Sequence, residues 1–129
     1  MIIKFASLYV KNQDEALQYY TTVLGFMKKG DVTQGEYRWL TVSSPEGVDG
    51  AELVLEAAAS PQAQTYQKAM YGAGMPVLML VTKDFDAEYG RLKKLGVAFR
   101  GEPFSMGRIK SVLFDDTCGN LVNLAQPAG

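Results

Sequence analysis

The spacing of apolar residues predicts a strand, a helix and three further strands in each half of the chain. In the first half, residues 12–14 supply candidates for the cap of a predicted helix. This helix ends at Gly25 and has apolar residues at helical spacing: Ala16, Tyr20, Val23 and Leu24. Strands are predicted at residues 2–10, 26–32, 36–43 and 51–57, with a turn-rich stretch at 43–50. The second half repeats this order, with a helix at 85–95 and strands at 75–81, 97–101, 108–114 and 120–125.

The two halves also resemble each other in sequence. An offset of 71 residues places Val10 on Val81, Leu24-Gly25 on Leu95-Gly96, and Gly30 on Gly101. An internal repeat of this length indicates one supersecondary unit used twice. We therefore predict a single domain over residues 1–129, made of a module at 1–57, a helical linker at 58–74 and a module at 75–126.

Composition excludes several classes of partner. The 13 basic and 14 acidic residues are dispersed and give a net charge of −1, so neither nucleic acid nor an anionic membrane surface is expected as a partner. No apolar run is long enough to cross a membrane. The first residues lack the features of a signal peptide, and the single cysteine, Cys118, cannot form an internal disulfide. We therefore expect a cytoplasmic protein.

The chain contains no histidine, which removes most routes to acid–base and nucleophilic catalysis. Cys118 lies in a predicted turn without a nearby basic residue, so we expect an exposed and unreactive thiol. Glu56, at the end of a predicted apolar strand, is the remaining candidate for an acid–base role.

A set of motifs in a fixed order extends along the whole chain. It comprises Leu8-Tyr9-Val10, the helix segment 14–20, Val23-Leu24-Gly25-Phe26, Leu53-Val54-Leu55-Glu56, and the D-x-x-G-N turn within residues 114–122. This set resembles the vicinal oxygen chelate superfamily, which includes glyoxalase I, the extradiol dioxygenases, and the fosfomycin- and bleomycin-resistance proteins. The resemblance implies an α+β fold, with two βαβββ modules forming a curved mixed sheet around a bowl and helices outside. It also implies a homodimer, because the superfamily commonly pairs two such chains.

Metal-dependent members of this superfamily take one metal ligand from the first strand and one from the last strand of each half. Carried over by position, these sites fall on Phe5, Glu56, Pro76 or its neighbour Val77, and Asn123. Transition metals prefer imidazole, thiolate and carboxylate donors, and Glu56 alone offers one. We therefore expect neither a tightly bound metal nor another cofactor.

Strand alternation predicts which side chains line the bowl that the resemblance implies. The predicted ligand-binding residues are Phe5, Ser7, Tyr9, Trp39, Thr41, Glu56, Leu78, Lys110 and Asn123. This aromatic surface with a few polar groups is typical of small-molecule pockets, although two closed sheets without a ligand have a similar composition. Trp39, for example, fits either a stacking platform or a core filler.

Three functions remain open on the sequence. We favour a metal-independent protein that binds a small hydrophobic or aromatic molecule. The first alternative is a glyoxalase-like lyase or isomerase that uses Glu56 as acid and base, with a weakly bound divalent metal. The second is a structural or regulatory dimer without a ligand.

Overall fold

A computed structural model describes residues 1–46 and 50–127. Its elements are β1 (Phe5–Val10), α1 (Gln13–Gln18, continued by a π-helical turn at Tyr19–Val23), β2 (Met27–Gln34), β3 (Tyr37–Ser43), β4 (Glu52–Ala57), α2 (Pro61–Gly72), β5 (Leu78–Val81), α3 (Phe85–Lys94), β6 (Ala98–Met106), β7 (Ile109–Asp115) and β8 (Leu121–Gln126). The predicted turn at 43–50 lies partly outside the described residues. Every predicted strand and helix is present, with shifted ends.

The strands form two mixed sheets of four. Sheet 1 has the order β1-β4-β3-β2 and sheet 2 has the order β5-β8-β7-β6. The β1–β4 and β5–β8 pairs are parallel, and the remaining pairs are antiparallel. The α+β class and the two βαβββ modules are therefore confirmed, with the strands divided between two hydrogen-bonded sheets.

The chain divides into two compact units, Met1–Gln67 and Lys68–Gly129. The division falls inside α2, which lies within the segment expected to be a linker. No helix among the described residues has the length and apolar content needed to span a membrane.

The core of the first unit lies between sheet 1 and α1. Asn12 caps α1, since its side chain accepts a hydrogen bond from the Glu15 backbone N–H at 2.9 Å. Ala16 and Tyr20 are fully buried on this helix, and Gly25 ends it with φ +89°. The buried strand residues beneath are Leu8, Val10, Leu40, Val42 and Leu55. β1 begins at Phe5, three residues later than predicted, because its pairing with β4 starts there.

The core of the second unit contains a row of aromatic rings between α3 and sheet 2. Phe85 stacks on Tyr89 at 5.8 Å, and Tyr89 lies 4.7 Å from Phe99. Phe99 meets the fully buried Phe114 edge-on at 6.2 Å. Edge strand β6 extends well beyond its predicted end, because an irregularity between Arg100 and Phe104 accommodates the intervening proline before pairing resumes.

The D-x-x-G-N segment is a hydrogen-bonded turn between β7 and β8. Asp116 is fully buried, and its Oδ1 accepts hydrogen bonds from the backbone N–H groups of Cys118 at 2.7 Å and Asn120 at 3.0 Å. Its Oδ2 accepts from the Asn120 side-chain amide at 3.0 Å. The turn holds Thr117 at φ +61° and Gly119 at φ +98°. Cys118 is 2% exposed, so the expectation of an exposed thiol is wrong, because the turn directs this side chain inward.

Gly30 provides a first prediction, because β3 side chains approach its backbone closely. A Cβ at this position would lie 3.0 Å from Thr41 Oγ1 and 3.3 Å from Trp39 Nε1. We expect Gly30→Ala to lower the free energy of unfolding by about 1–3 kcal/mol and to change the emission of Trp39. The matched control is Gly90→Ala in α3, where no atom lies within 4 Å and a gain of about 0.5–1 kcal/mol is expected. Denaturant unfolding measures both, and wild-type stability with unchanged emission in Gly30→Ala would contradict the prediction.

Candidate functional site

Four aromatic side chains lie on the face of sheet 1 opposite α1, and we call this set the aromatic face. Phe5 and Tyr9 come from β1, and Tyr37 and Trp39 come from β3. They alternate along each strand with the buried residues that pack against α1. Phe5 is 44% exposed, Tyr9 37% and Tyr37 49%, whereas Trp39 is half-buried.

Ring contacts fix parts of this face. Phe5 meets Trp39 edge-on, with ring centroids 5.2 Å apart and an interplanar angle of 80°. Tyr9 meets Tyr66 of α2 at 6.4 Å. Edge-to-face pairs of this kind hold their rings in defined orientations. The aromatic face therefore presents rings in defined orientations, and part of their surface is exposed to solvent.

A cavity of about 310 Å³ lies at the Tyr9 end of the aromatic face. Its wall includes Ser7 and Tyr9 of β1, Tyr37 of β3 and Glu56 of β4. A hydrogen bond to the Glu56 carboxylate raises the pKa of the Tyr37 hydroxyl, because ionisation would remove the donor and place two negative charges together. The strand register explains this grouping, since Tyr9 pairs directly with Glu56.

Arg38 also borders the cavity, but its guanidinium is bound on the other face of β3. Its Nε and Nη2 each donate to a carboxylate oxygen of Asp31 at 2.9 Å, and its Nη1 donates to Asp14 Oδ1 at 2.6 Å. These carboxylates raise the pKa of Arg38, and the guanidinium in turn lowers the pKa of Asp31. The charge of Arg38 is therefore already compensated.

Thr41 lies on the expected face but has no exposed surface. Its hydroxyl accepts a hydrogen bond from the Gly30 N–H at 2.9 Å and donates one to Glu52 Oε1 at 2.6 Å. Both hydrogen-bonding functions of the hydroxyl are therefore used within the protein. Thr41 links β2, β3 and β4 through these two hydrogen bonds. Because its hydroxyl is buried and already paired, it does not offer the polar group to a ligand that the sequence led us to expect.

Glu52 is the polar residue of this face that sequence reasoning missed. Its carboxylate receives the Thr41 hydroxyl and lies 3.4 Å from Lys4 Nζ. The Thr41 hydrogen bond, together with Lys4 and the charge of Lys29, lowers the pKa of Glu52 against the opposing effect of burial. Glu52 stands four residues before Glu56, so strand alternation already placed both carboxylates on one face.

We predict that Glu52 stabilises the fold more at neutral pH than in acid. Because its folded-state pKa lies below the ordinary value of 4.5, its contribution is complete above that value and is lost as the pH falls through the folded-state pKa. Glu52→Gln should therefore lower the thermal midpoint at neutral pH, and its difference from the wild type should shrink in acid. Thermal unfolding from neutral pH down to about pH 3 measures this. A difference that does not change with pH would contradict it.

In sheet 2 the structure separates the residues expected to share a face. Leu78 pairs with Val122 and lies on the side of the sheet that packs against α3. Asn123 pairs with Met79 and lies on the opposite side. The expected placement of Leu78 beside Asn123 is wrong, because both alternating sets of β5 are apolar and the sequence offers no signal to distinguish them.

Lys110 also lies on the α3 side of sheet 2. It shares this face of β7 with Val112 and Phe114, both buried, and its Nζ lies 3.1 Å from Asp86 of α3. Its expected position beside Asn123 is therefore wrong. The ion pair with Asp86 accounts for a lysine at the end of an otherwise apolar row.

The positions implied for a metal do not form a metal site. Phe5 pairs with Glu52, four residues before Glu56, so the two first-half positions lie about 13 Å apart along the strands. Phe5 and Pro76 have no donor atoms, and Asn123 offers only an amide. Within residues 1–46 and 50–127, no three or more His, Cys, Asp and Glu side chains are grouped to hold a metal ion. These residues do not fit the divalent metal of the metal-dependent members.

The fold and the sequence together identify the family. The sequence model of the Glyoxalase/Bleomycin resistance protein/Dioxygenase superfamily matches residues 2–124 of the chain. The chain belongs to this superfamily.

Individual relatives cover nearly the whole chain. The chain is 47% identical over 126 residues to YurT, an uncharacterized protein of Bacillus subtilis (strain 168), spanning 98% of this chain and 99% of that protein. The solved structure of UcmS2 is similar, with a TM-score of 0.84 and 29% identity, covering 97% of each chain. The structure of TnmS3, an antibiotic binding protein from Streptomyces sp. CB03234, has a TM-score of 0.77 and 28% identity over 99% of this chain and 97% of that chain.

Proposed function

We propose that this protein binds a small hydrophobic or aromatic molecule on the aromatic face of sheet 1. The observation that carries the proposal is the exposure of Phe5, Tyr9 and Tyr37 beside Trp39 on one side of one sheet. Grouped aromatic side chains in contact with water are unfavourable and mark surfaces that bind a partner or ligand.

The shape of the aromatic face favours a small molecule as the occupant. The cavity beside Tyr9 makes this end of the face concave, and small-molecule sites are typically concave, with aromatic walls and a few polar groups. The likeness to TnmS3, an antibiotic binding protein, supports the same conclusion. We propose an organic molecule of that general kind, held without a metal ion.

A lyase or isomerase activity is the second candidate, and the Tyr37–Glu56 hydrogen bond favours it. Glu56 borders the cavity and accepts a hydrogen bond from the phenol hydroxyl of Tyr37. A carboxylate in this position can act as an acid or a base on a bound substrate. In this case Glu56→Gln would abolish turnover, whereas in the binding protein it would only change the affinity for the ligand.

We also propose that the protein is a cytoplasmic homodimer. Five apolar residues of sheet 2 are between 39% and 63% exposed: Met79, Val81, Phe104, Met106 and Ile109. A second copy of the chain would remove this surface from water. Sedimentation equilibrium tests the dimer, and a monomer at all concentrations would contradict it.

Titration with N-phenyl-1-naphthylamine, a neutral aromatic dye, tests the proposed binding. We expect saturable enhancement of dye emission, quenching of Trp39 and a rise in the thermal midpoint, all unchanged by a chelator. Absence of saturable dye binding and of a thermal shift would overturn the proposal. A thermal shift that appears only with Ni²⁺, Zn²⁺ or Mn²⁺ would favour the enzyme candidate.

A further inference from the structure

We propose that the cavity bounded by Tyr9, Tyr37 and Glu56 binds the ammonium group of the ligand. The inference rests on the proposed function and narrows the ligand class to organic cations with an aromatic or apolar body. The body would lie on the aromatic face, and the charged group would occupy the cavity at its end.

The carboxylate of Glu56 supplies the negative charge. A carboxylate accepts about four hydrogen bonds, so the bond from the Tyr37 hydroxyl leaves most of its acceptor capacity available. In the described parts of the chain, Glu56 is not a member of any ion pair. An ammonium group of a ligand would therefore be its first cationic partner.

The basic residue nearest in the cavity wall does not compete for this charge. Arg38 is held by Asp31 and Asp14 on the α1 side of sheet 1, with Nη1 2.6 Å from Asp14 Oδ1. Glu36, which also borders the cavity, adds a further acidic group. The cavity is consequently negative, and an anionic ligand group would meet repulsion there.

The aromatic rings in the wall suit a cation as well. Tyr9 and Tyr37 both border the cavity, and the face of a tyrosine ring attracts an ammonium group by about 0.5–2 kcal/mol. At about 310 Å³ the cavity lies at the small end of the range for ligand sites, which leaves room for an alkylated ammonium group. A carboxylate between two tyrosines thus recognises both the charge and the apolar surface of an alkylated amine.

Calorimetric titration with two probes of similar size and opposite charge tests the inference. We expect benzyltrimethylammonium to bind at least about tenfold more tightly than phenylmethanesulfonate, a difference of about 1.4 kcal/mol. Glu56→Gln should lower the affinity for the cation about tenfold and leave the affinity for N-phenyl-1-naphthylamine within about twofold. The control Glu15→Gln removes the same charge from an exposed position on α1 and should change neither affinity.

The outcomes separate this inference from the function on which it rests. If the neutral dye binds but the two charged probes bind alike, or if Glu56→Gln leaves the affinity for the cation unchanged, the ammonium site is overturned and the aromatic binding face stands. If the neutral dye does not bind, the proposed function fails. Equal losses of cation affinity in Glu56→Gln and Glu15→Gln would indicate general charge attraction and would also overturn the ammonium site.

Discussion

Replacing Asp116 by alanine is expected to lower the free energy of unfolding by about 3–5 kcal/mol. The carboxylate is fully buried and accepts hydrogen bonds from the Cys118 N–H, the Asn120 N–H and the Asn120 side-chain amide. Alanine would remove the carboxylate that accepts from these buried donors. It would also remove the bonds that hold Thr117 in the left-handed region, at φ +61°.

Denaturant unfolding measures this effect against two comparisons. Asp86→Ala removes an exposed carboxylate whose ion pair with Lys110 lies at the surface, and it should cost less than about 1 kcal/mol. Asp116→Asn keeps one acceptor oxygen for the backbone but presents an amide to Asn120, so an intermediate loss is expected. A loss in Asp116→Ala no greater than that in Asp86→Ala would contradict the prediction.

Replacing Trp39 by alanine is expected to weaken binding of N-phenyl-1-naphthylamine by about tenfold to a hundredfold. Removal of a large ring from a contact surface costs about 1.5–3 kcal/mol of apolar contact. The change also removes the ring that holds Phe5 edge-on at 5.2 Å, so the surface loses part of its order.

The emission of the dye is the measurement, because this variant lacks the single tryptophan of the chain. Trp39→Phe keeps an aromatic ring and should lose less than about tenfold in affinity, which separates stacking from a general loss of structure. The thermal midpoint of each variant, measured without dye, reports on folding. Wild-type affinity in Trp39→Ala would mean that the dye binds elsewhere.

The first unit was the more predictable part of the molecule, because its strands alternate clearly. In β3, Leu40 and Val42 are strictly apolar while Tyr37 and Trp39 carry polar atoms, and the structure places the two sets on opposite faces. The helix end at Gly25 was also evident, and the cap was placed within residues 12–14, where the structure selects Asn12.

The second unit was less predictable, because alternation fails in a strand that is apolar at every position. β5 reads Leu-Met-Leu-Val, so only the pairing of Leu78 with Val122 determines its inward face. The assignment of Lys110 failed for a related reason. Lys110 was expected as a polar group lining the bowl, but its ion-pair partner Asp86 lies on another element and becomes a neighbour only in the folded chain.

The buried carboxylate of Asp116 has a consequence for how this superfamily diverges. The D-x-x-G-N segment is among the motifs by which the chain is recognised, and its side chains are occupied in forming a turn. A motif used in this way constrains the turn and contributes no side chain to the proposed ligand site. Two proteins that share it have therefore inherited the same scaffold while remaining free to exchange the residues equivalent to Tyr9, Trp39 and Glu56. On the proposed function, ligand specificity would follow those three positions and not the motif.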